Sequence, residues 1–243
     1  MKKLYEKSEI WFAVIWIIAY VILCSAADSL SESLGVLKSV TAPLCVVLTL
    51  ILFVWIRKND LSEKYGLIPF NGNWKNYLYF IPLLLIMSVN LWNGVTLNFS
   101  AVESALRVLS MIGVGFLEEI IFRGFLFKAI CKSNVKRAII ISSVTFGLGH
   151  IVNLLNGADF VPTLLQICYA VSLGFLFTII FYKGKSLLPC IITHSVINSL
   201  STFGIEGSQT YQMAISAALC VISVGYTLWI LRAERNNGER SKE

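Results

Sequence analysis

The sequence predicts an all-α, polytopic transmembrane helix bundle of about eight spans, and three observations carry that expectation. Hydrophobic residues make up 56% of the 243 and charged residues only 14%, where a soluble domain has about 25% charged. Mean hydropathy is +0.74. Apolar runs near the roughly 20 residues needed to cross a bilayer recur between short polar connections, and the basic residues gather on alternate connections. The net charge of +6 therefore reads as membrane topology, and no nucleic-acid partner is expected.

The first span is 10–27, after a short basic start with Lys2, Lys3 and Lys7. A cleaved signal peptide is the alternative, given Ser25-Ala26-Ala27, but Trp11, Trp16 and Tyr20 fit a permanent helix with interfacial aromatics. The second span, 39–56, ends at Trp55, Arg57 and Lys58, an aromatic-then-basic edge typical of a cytoplasmic interface. The connection 59–75 carries the breakers Gly66, Pro69 and Gly72, and Trp74 and Tyr77 suit a membrane-surface position. The third span is 77–92, started or kinked by Pro82, and the fourth is 105–127. The fifth is 138–155; the sixth, 161–182, has Pro162 in its first turn. The seventh is 187–202 and the eighth 211–231, before a charged tail. These divide as 1–104 (three spans), 105–202 (four spans) and 203–243. The six cysteines form no CxxC pair, and five lie in apolar segments as small hydrophobes, so neither a disulfide framework nor a zinc knuckle is expected. Cys131 reads as an unmodified thiol, with palmitoylation as the alternative.

With eight spans and the amino terminus inside, every one of the 20 basic residues except Arg123, Lys38 and Arg107 falls on an inner segment. The positive-inside rule then places both termini in the cytoplasm of a cell-membrane protein.

The fourth span departs from this apolar pattern. GVGFLEEIIFRGFLF, 113–127, carries Glu118, Glu119 and Arg123, and each such group costs about 2.5–3.5 kcal/mol at a helix centre facing lipid. They must face inward. Glu119 and Arg123 are spaced i, i+4 and pair on one face, whereas Glu118 lies about 100° round an α-helix from Glu119 and has no partner on its own helix. That leaves Glu118 for proton transfer, with Glu119 and Arg123 as support. An ion-paired patch that only glues helices is the alternative.

Counted from the inner ends of their spans, Glu118 is nine residues above Phe127, His150 twelve above Ala138 and His194 seven above Leu187, depths of roughly 10–18 Å. Three helices thus offer Glu, His, and His with Asn to one buried layer that holds both histidines of the chain. His194 and Asn198, at i, i+4, suit two hydrogen bonds to one oxygen, as an oxyanion requires. Phe146, at the same spacing from His150, can wall that ring. Gly147 and Gly149 permit close helix approach, or are ordinary small-residue packing. No cofactor is expected. Zinc at Glu118, His150 and His194 is a lesser alternative, since neither histidine has an acid one turn away and no HExxH is present.

Glu118-Glu119-x-x-x-Arg123, Phe146-x-x-x-His150 and His194-x-x-x-Asn198, in this order on separate spans, resemble the three signatures of the CPBP family. These are the CAAX proteases and bacteriocin-processing enzymes, or Abi proteins, which are intramembrane glutamic endopeptidases. The resemblance covers about 105–201. It implies that Glu118 with His150 activates a water, that His194 with Asn198 stabilises the oxyanion, and that Glu119 and Arg123 hold the site in shape. Peptide hydrolysis would then need neither a covalent intermediate nor a metal. Expected partners are membrane lipids and a membrane-associated peptide or lipidated protein substrate, reached through a site opening to the cytoplasmic half. The chain's compactness suits bacteriocin maturation, self-immunity or peptide signalling. The competing readings are a non-catalytic membrane immunity or binding protein of the same family, and a proton-coupled transporter. The latter lacks the expected internal repeat.

Overall fold

The structure is a computed structural model that describes residues 1–69 and 80–240, with backbone alone over 234–240. Helices α1 (Lys2–Lys7), α2 (Glu9–Ser33) and α3 (Thr41–Lys58) open the chain. The short α4 (Ile81–Met87) has Pro82 in its first turn and leads into a 3₁₀ turn, Val89–Leu91. The long α5 (Ala101–Glu118) runs without interruption into a π-helix, Glu119–Phe127, and a last α turn, Lys128–Cys131. Helix α6 (Val135–Leu148) is prolonged through Gly149–Ile151 and Val152–Leu155. Helices α7 (Phe160–Gly184), α8 (Leu188–Leu200) and α9 (Gln209–Arg240) complete the bundle. No strand occurs among the described residues, apart from one isolated bridge, Val95 to Gly204.

Local chemistry sets the helix starts. Ser8 accepts from Trp11 N at 3.3 Å to cap α2, and Asn134 accepts from Arg137 N at 2.9 Å to cap α6. Ser100 and Glu103 form a reciprocal capping box at α5.

The bundle is all-helical and multi-pass, as expected. Five helices are long and apolar enough to cross a membrane: Glu9–Ser33, Thr41–Lys58, Val135–Leu155, Phe160–Gly184 and Gln209–Ala233. Their outward residues, such as Ile18, Ile22, Leu50 and Val221, are exposed, which lipid accommodates and water does not. The fourth expected span is a helix of full length whose charges exclude it from a purely apolar definition, and the seventh, Leu188–Leu200, is shorter. The third expected span is represented by the seven residues of α4, a rise of about 10 Å. Its beginning at Tyr77, and the surface position expected for Trp74, lie outside the described residues.

Successive helices run antiparallel between two ends of different charge. At one end Glu9 meets Lys64 at 2.6 Å and Lys132 at 2.9 Å, and Leu187 N donates to Gly66 O at 2.8 Å. Arg57, Lys58, Lys128, Lys136, Arg137, Lys183 and Lys185 lie at this basic end. The opposite end gathers Asp28, Glu32, Glu103, Asp159 and Glu206, with Lys38 and Arg107 as its cations among the described residues. Helix α5 packs between α3 and α8, α6 packs on the π-helix that continues it, and α7 lies between α6 and α9.

Candidate active site

Where α5 turns into the π-helix, the chain buries every side chain from Glu119 to Phe127. The sequence alone suggests an α-helix here. A π stretch, with i→i+5 bonds, is rare and concentrates at functional sites. One of its carbonyls, that of Phe122, accepts from Ser142 Oγ on α6 at 2.9 Å, which ties the π-helix to its neighbour.

Arg123 and Glu119 are completely buried and pair at 3.0 Å through Nη1 and Oε1. The same Oε1 stands 2.9 Å from His194 Nδ1. A carboxylate ion-paired to arginine only accepts, so Nδ1 carries the proton and donates. The guanidinium lies over the Phe146 ring, 4.0 Å from its centroid, with Phe177 at 5.7 Å. Aromatic faces thereby supply much of what water would give this cation.

The His194 ring, fixed on one side by Glu119, presents Nε2 to Glu118 Oε2 at 3.4 Å, an electrostatic approach rather than a hydrogen bond. Glu118 Oε1 accepts a hydrogen bond from the Tyr20 hydroxyl at 2.8 Å. So Glu118, without a partner on its own helix, has neighbours on α2 and α8. Tyr20 is not interfacial: it lies midway along α2, buried, and a buried phenol needs an acceptor. Trp11, a turn from the helix start, is the exposed aromatic.

Glu118, His150, His194 and Asn198 all line one cavity of about 430 Å³. His150, in the 3₁₀ turn after α6, and the Asn198 amide make no side-chain hydrogen bond among the described residues and are available to a ligand. Phe146 separates the two imidazoles, with ring centroids 5.7 Å from His150 and 5.6 Å from His194. Glu119 and Phe146 thus contact His194 from behind the cavity, and Arg123 backs both of them. Of the two glycines beside His150, Gly147 has α7 backbone so close that a Cβ would meet Val171 N at 2.8 Å, while Gly149 has open space up to Phe122 at 4.0 Å. No three His, Cys, Asp or Glu side chains are grouped to hold a metal ion among the described residues.

The cavity runs away from the basic end. Its remaining lining includes Ser25, Asp28, Lys38, Asn153, Asn156 and Ser201, all at the acidic end, whereas the buried π-helix closes the other direction. The sequence places the mouth at the basic half; the cavity lining extends toward the acidic end instead.

Comparison with protein families then bears on the segment just described. Residues 100–200 match the family of Rce1-like type II CAAX prenyl endopeptidases. The matched segment contains α5, the π-helix and α6 to α8, and with them all three motifs. It shows the CPBP/CAAX-protease resemblance over that stretch, and the matched family is one of proteases. No curated protein and no solved structure matched the chain. Five apolar membrane-length helices around a segment of membrane-protease type make the protein a multi-pass membrane protein. Tyr20, Asp28 and Lys38 of the cavity lie outside the matched residues.

Proposed function

We propose that the protein is an intramembrane glutamic endopeptidase that hydrolyses a peptide bond of a membrane-associated peptide or protein precursor. The observation that carries this reading is the convergence of Glu118, His150, His194 and Asn198 on one cavity within a segment that matches CAAX proteases.

In the proposed reaction Glu118 takes a proton from a water held between it and His150, and the water oxygen bonds to the substrate carbonyl carbon. The carbonyl electron pair moves onto oxygen, where the Asn198 amide and a His194 imidazolium, with Nδ1–H on Glu119 and Nε2–H on the substrate oxygen, stabilise the oxyanion. As the tetrahedral species collapses the C–N bond breaks, and the proton held by Glu118 passes to the leaving amine, giving a free carboxylate and amine. Tyr20 and His194 orient the Glu118 carboxylate; Glu119 and Arg123 orient His194. No covalent enzyme intermediate and no metal take part.

The proposal extends to topology. The basic end lies in the cytoplasm of a cell membrane, with both termini there, and the cavity faces the other side. A peptide that reaches the site from that side suits this geometry better than a lipidated cytoplasmic carboxyl terminus does.

Profiling peptides in medium and membranes of a host expressing wild type or Glu118→Gln at matched abundance tests the function. A product lost in the variant, with its precursor accumulating, is expected. Unchanged peptides alongside a preserved phenotype would favour a binding or immunity role instead.

A further inference from the structure

A second cavity, of about 550 Å³, adjoins the first. Val89, Asn90, Gln166, Tyr169, Ser201 and Ile215 line both, so the two form a continuous recess from the Glu118 site to the acidic end. It is built from the chain before α7, the first turns of α7 and the connection from α8 to α9.

Its charge is one-sided. Asp159 and Glu206 line it, both exposed, and neither forms an ion pair among the described residues. Of the four lining amides, Gln166 accepts through Oε1 from Asn153 Nδ2 at 2.9 Å, and the other three each donate to backbone: Asn90 Nδ2 to Ile197 O at 2.6 Å, Asn93 Nδ2 to Ile205 O at 3.2 Å and Gln212 Nε2 to Gly207 O at 3.2 Å. The side-chain oxygens of these three accept no hydrogen bond among the described residues. The cavity therefore offers two carboxylates and three open amide oxygens, beside the donors of Gln166, Tyr169 and Tyr211. Of the cations of this end, Lys38 pairs with Asp28 at 2.7 Å; Arg107 lies over the Phe99 ring at 4.1 Å and shares its attraction among Glu103, Asp28 and Glu206 without an ion pair to any of them.

We infer that this cavity is a substrate subsite for a cationic peptide segment, Lys or Arg side chains or a free amino terminus, adjoining the bond presented to Glu118. Cationic groups bring donors and no acceptors, which complements this lining, and the acidic end steers such a segment toward the mouth. The inference rests on the proposed peptidase reading, and the following experiment separates the two.

Full-length Glu118→Gln protein in nanodiscs of zwitterionic lipid is titrated against fluorescein-labelled peptides that share one apolar core and end in Lys-Lys, Gln-Gln or Glu-Glu. Fluorescence anisotropy reads binding, with empty nanodiscs as the blank. The Lys-Lys peptide is expected to bind roughly three- to tenfold more tightly than the Gln-Gln peptide, as two exposed charge pairs allow, and the Glu-Glu peptide most weakly. Adding Asp159→Asn and Glu206→Gln removes the preference, and Glu206→Lys reverses it. Equal binding of the three peptides, or a preference that survives the double substitution, overturns the subsite. Cleavage by wild type is scored separately. Charge-selective binding without cleavage keeps the subsite and sinks the peptidase; cleavage without charge selectivity does the opposite.

Discussion

Helices α5 and α8 approach so closely at Gly115 that a single methyl group should disable the site. A Cβ placed on Gly115 would stand 2.7 Å from Ser195 N and 2.9 Å from Ser195 Cα. Both are backbone atoms, so no rotamer change relieves the clash. Restoring an ordinary 3.4 Å contact requires α8 to retreat by about 0.7 Å, the difference between 3.4 and 2.7. His194 precedes Ser195 and moves with it. Its 2.9 Å bond to Glu119 lengthens toward about 3.6 Å, beyond hydrogen-bond range. Overpacking of this kind costs about 1–3 kcal/mol of stability, and displacements approaching 1 Å cost up to roughly 10²-fold in rate. Gly115→Ala is therefore expected to lower the thermal midpoint and to slow peptide cleavage by one to two orders of magnitude. The assay is cleavage by protein in nanodiscs, paired with a thermal unfolding scan. Gly225→Ala is the control, because a Cβ there meets nothing within 4 Å and should leave both readouts unchanged. A Gly115→Ala protein as stable and as active as wild type would refute the packing argument.

Three further outcomes follow from the site. Tyr20→Phe removes the hydrogen bond to Glu118, a charge-assisted contact of about 1.5–3 kcal/mol, and should reduce kcat roughly 10- to 100-fold while the folded fraction stays the same; an unchanged kcat would remove Tyr20 from the machinery. Arg123→Leu leaves the Glu119 carboxylate buried without its cation and should cost about 3–5 kcal/mol, read as a lowered unfolding midpoint, and wild-type stability would show that the pair is dispensable. Incubation with a strong chelator followed by exchange into metal-free buffer should leave the cleavage rate unchanged. Loss of activity that zinc restores would replace the proposed chemistry with metal catalysis.

The helices were legible because hydropathy and length suffice to find them, and the i, i+4 rule paired Glu119 with Arg123 correctly at 3.0 Å. The depth argument likewise brought Glu118, His150, His194 and Asn198 to one layer, and the structure puts them on one cavity. What escaped the sequence depends on packing between distant segments. Tyr20 reaches Glu118 across 98 residues, and its only local signal was a phenol at mid-span. The Phe122 carbonyl of the π-helix accepts from Ser142 on another helix, a contact that no local pattern announces. Periodicity also says nothing about which end of a bundle stays open. The closed end is set by the large side chains of the π-helix and the open end by Asp28 of α2 and the turns at Asn156 and Ser201, brought together only by the fold.

The central claim is that Glu118 is the base that activates water. Its most direct test is the single-turnover rate of purified wild type and Glu118→Gln on one cleavable peptide, in the same nanodiscs and with matched unfolding profiles. The account predicts a loss of at least about 10²–10⁴-fold, the range of general-base catalysis. A Glu118→Gln protein that cleaves at the wild-type rate would contradict it.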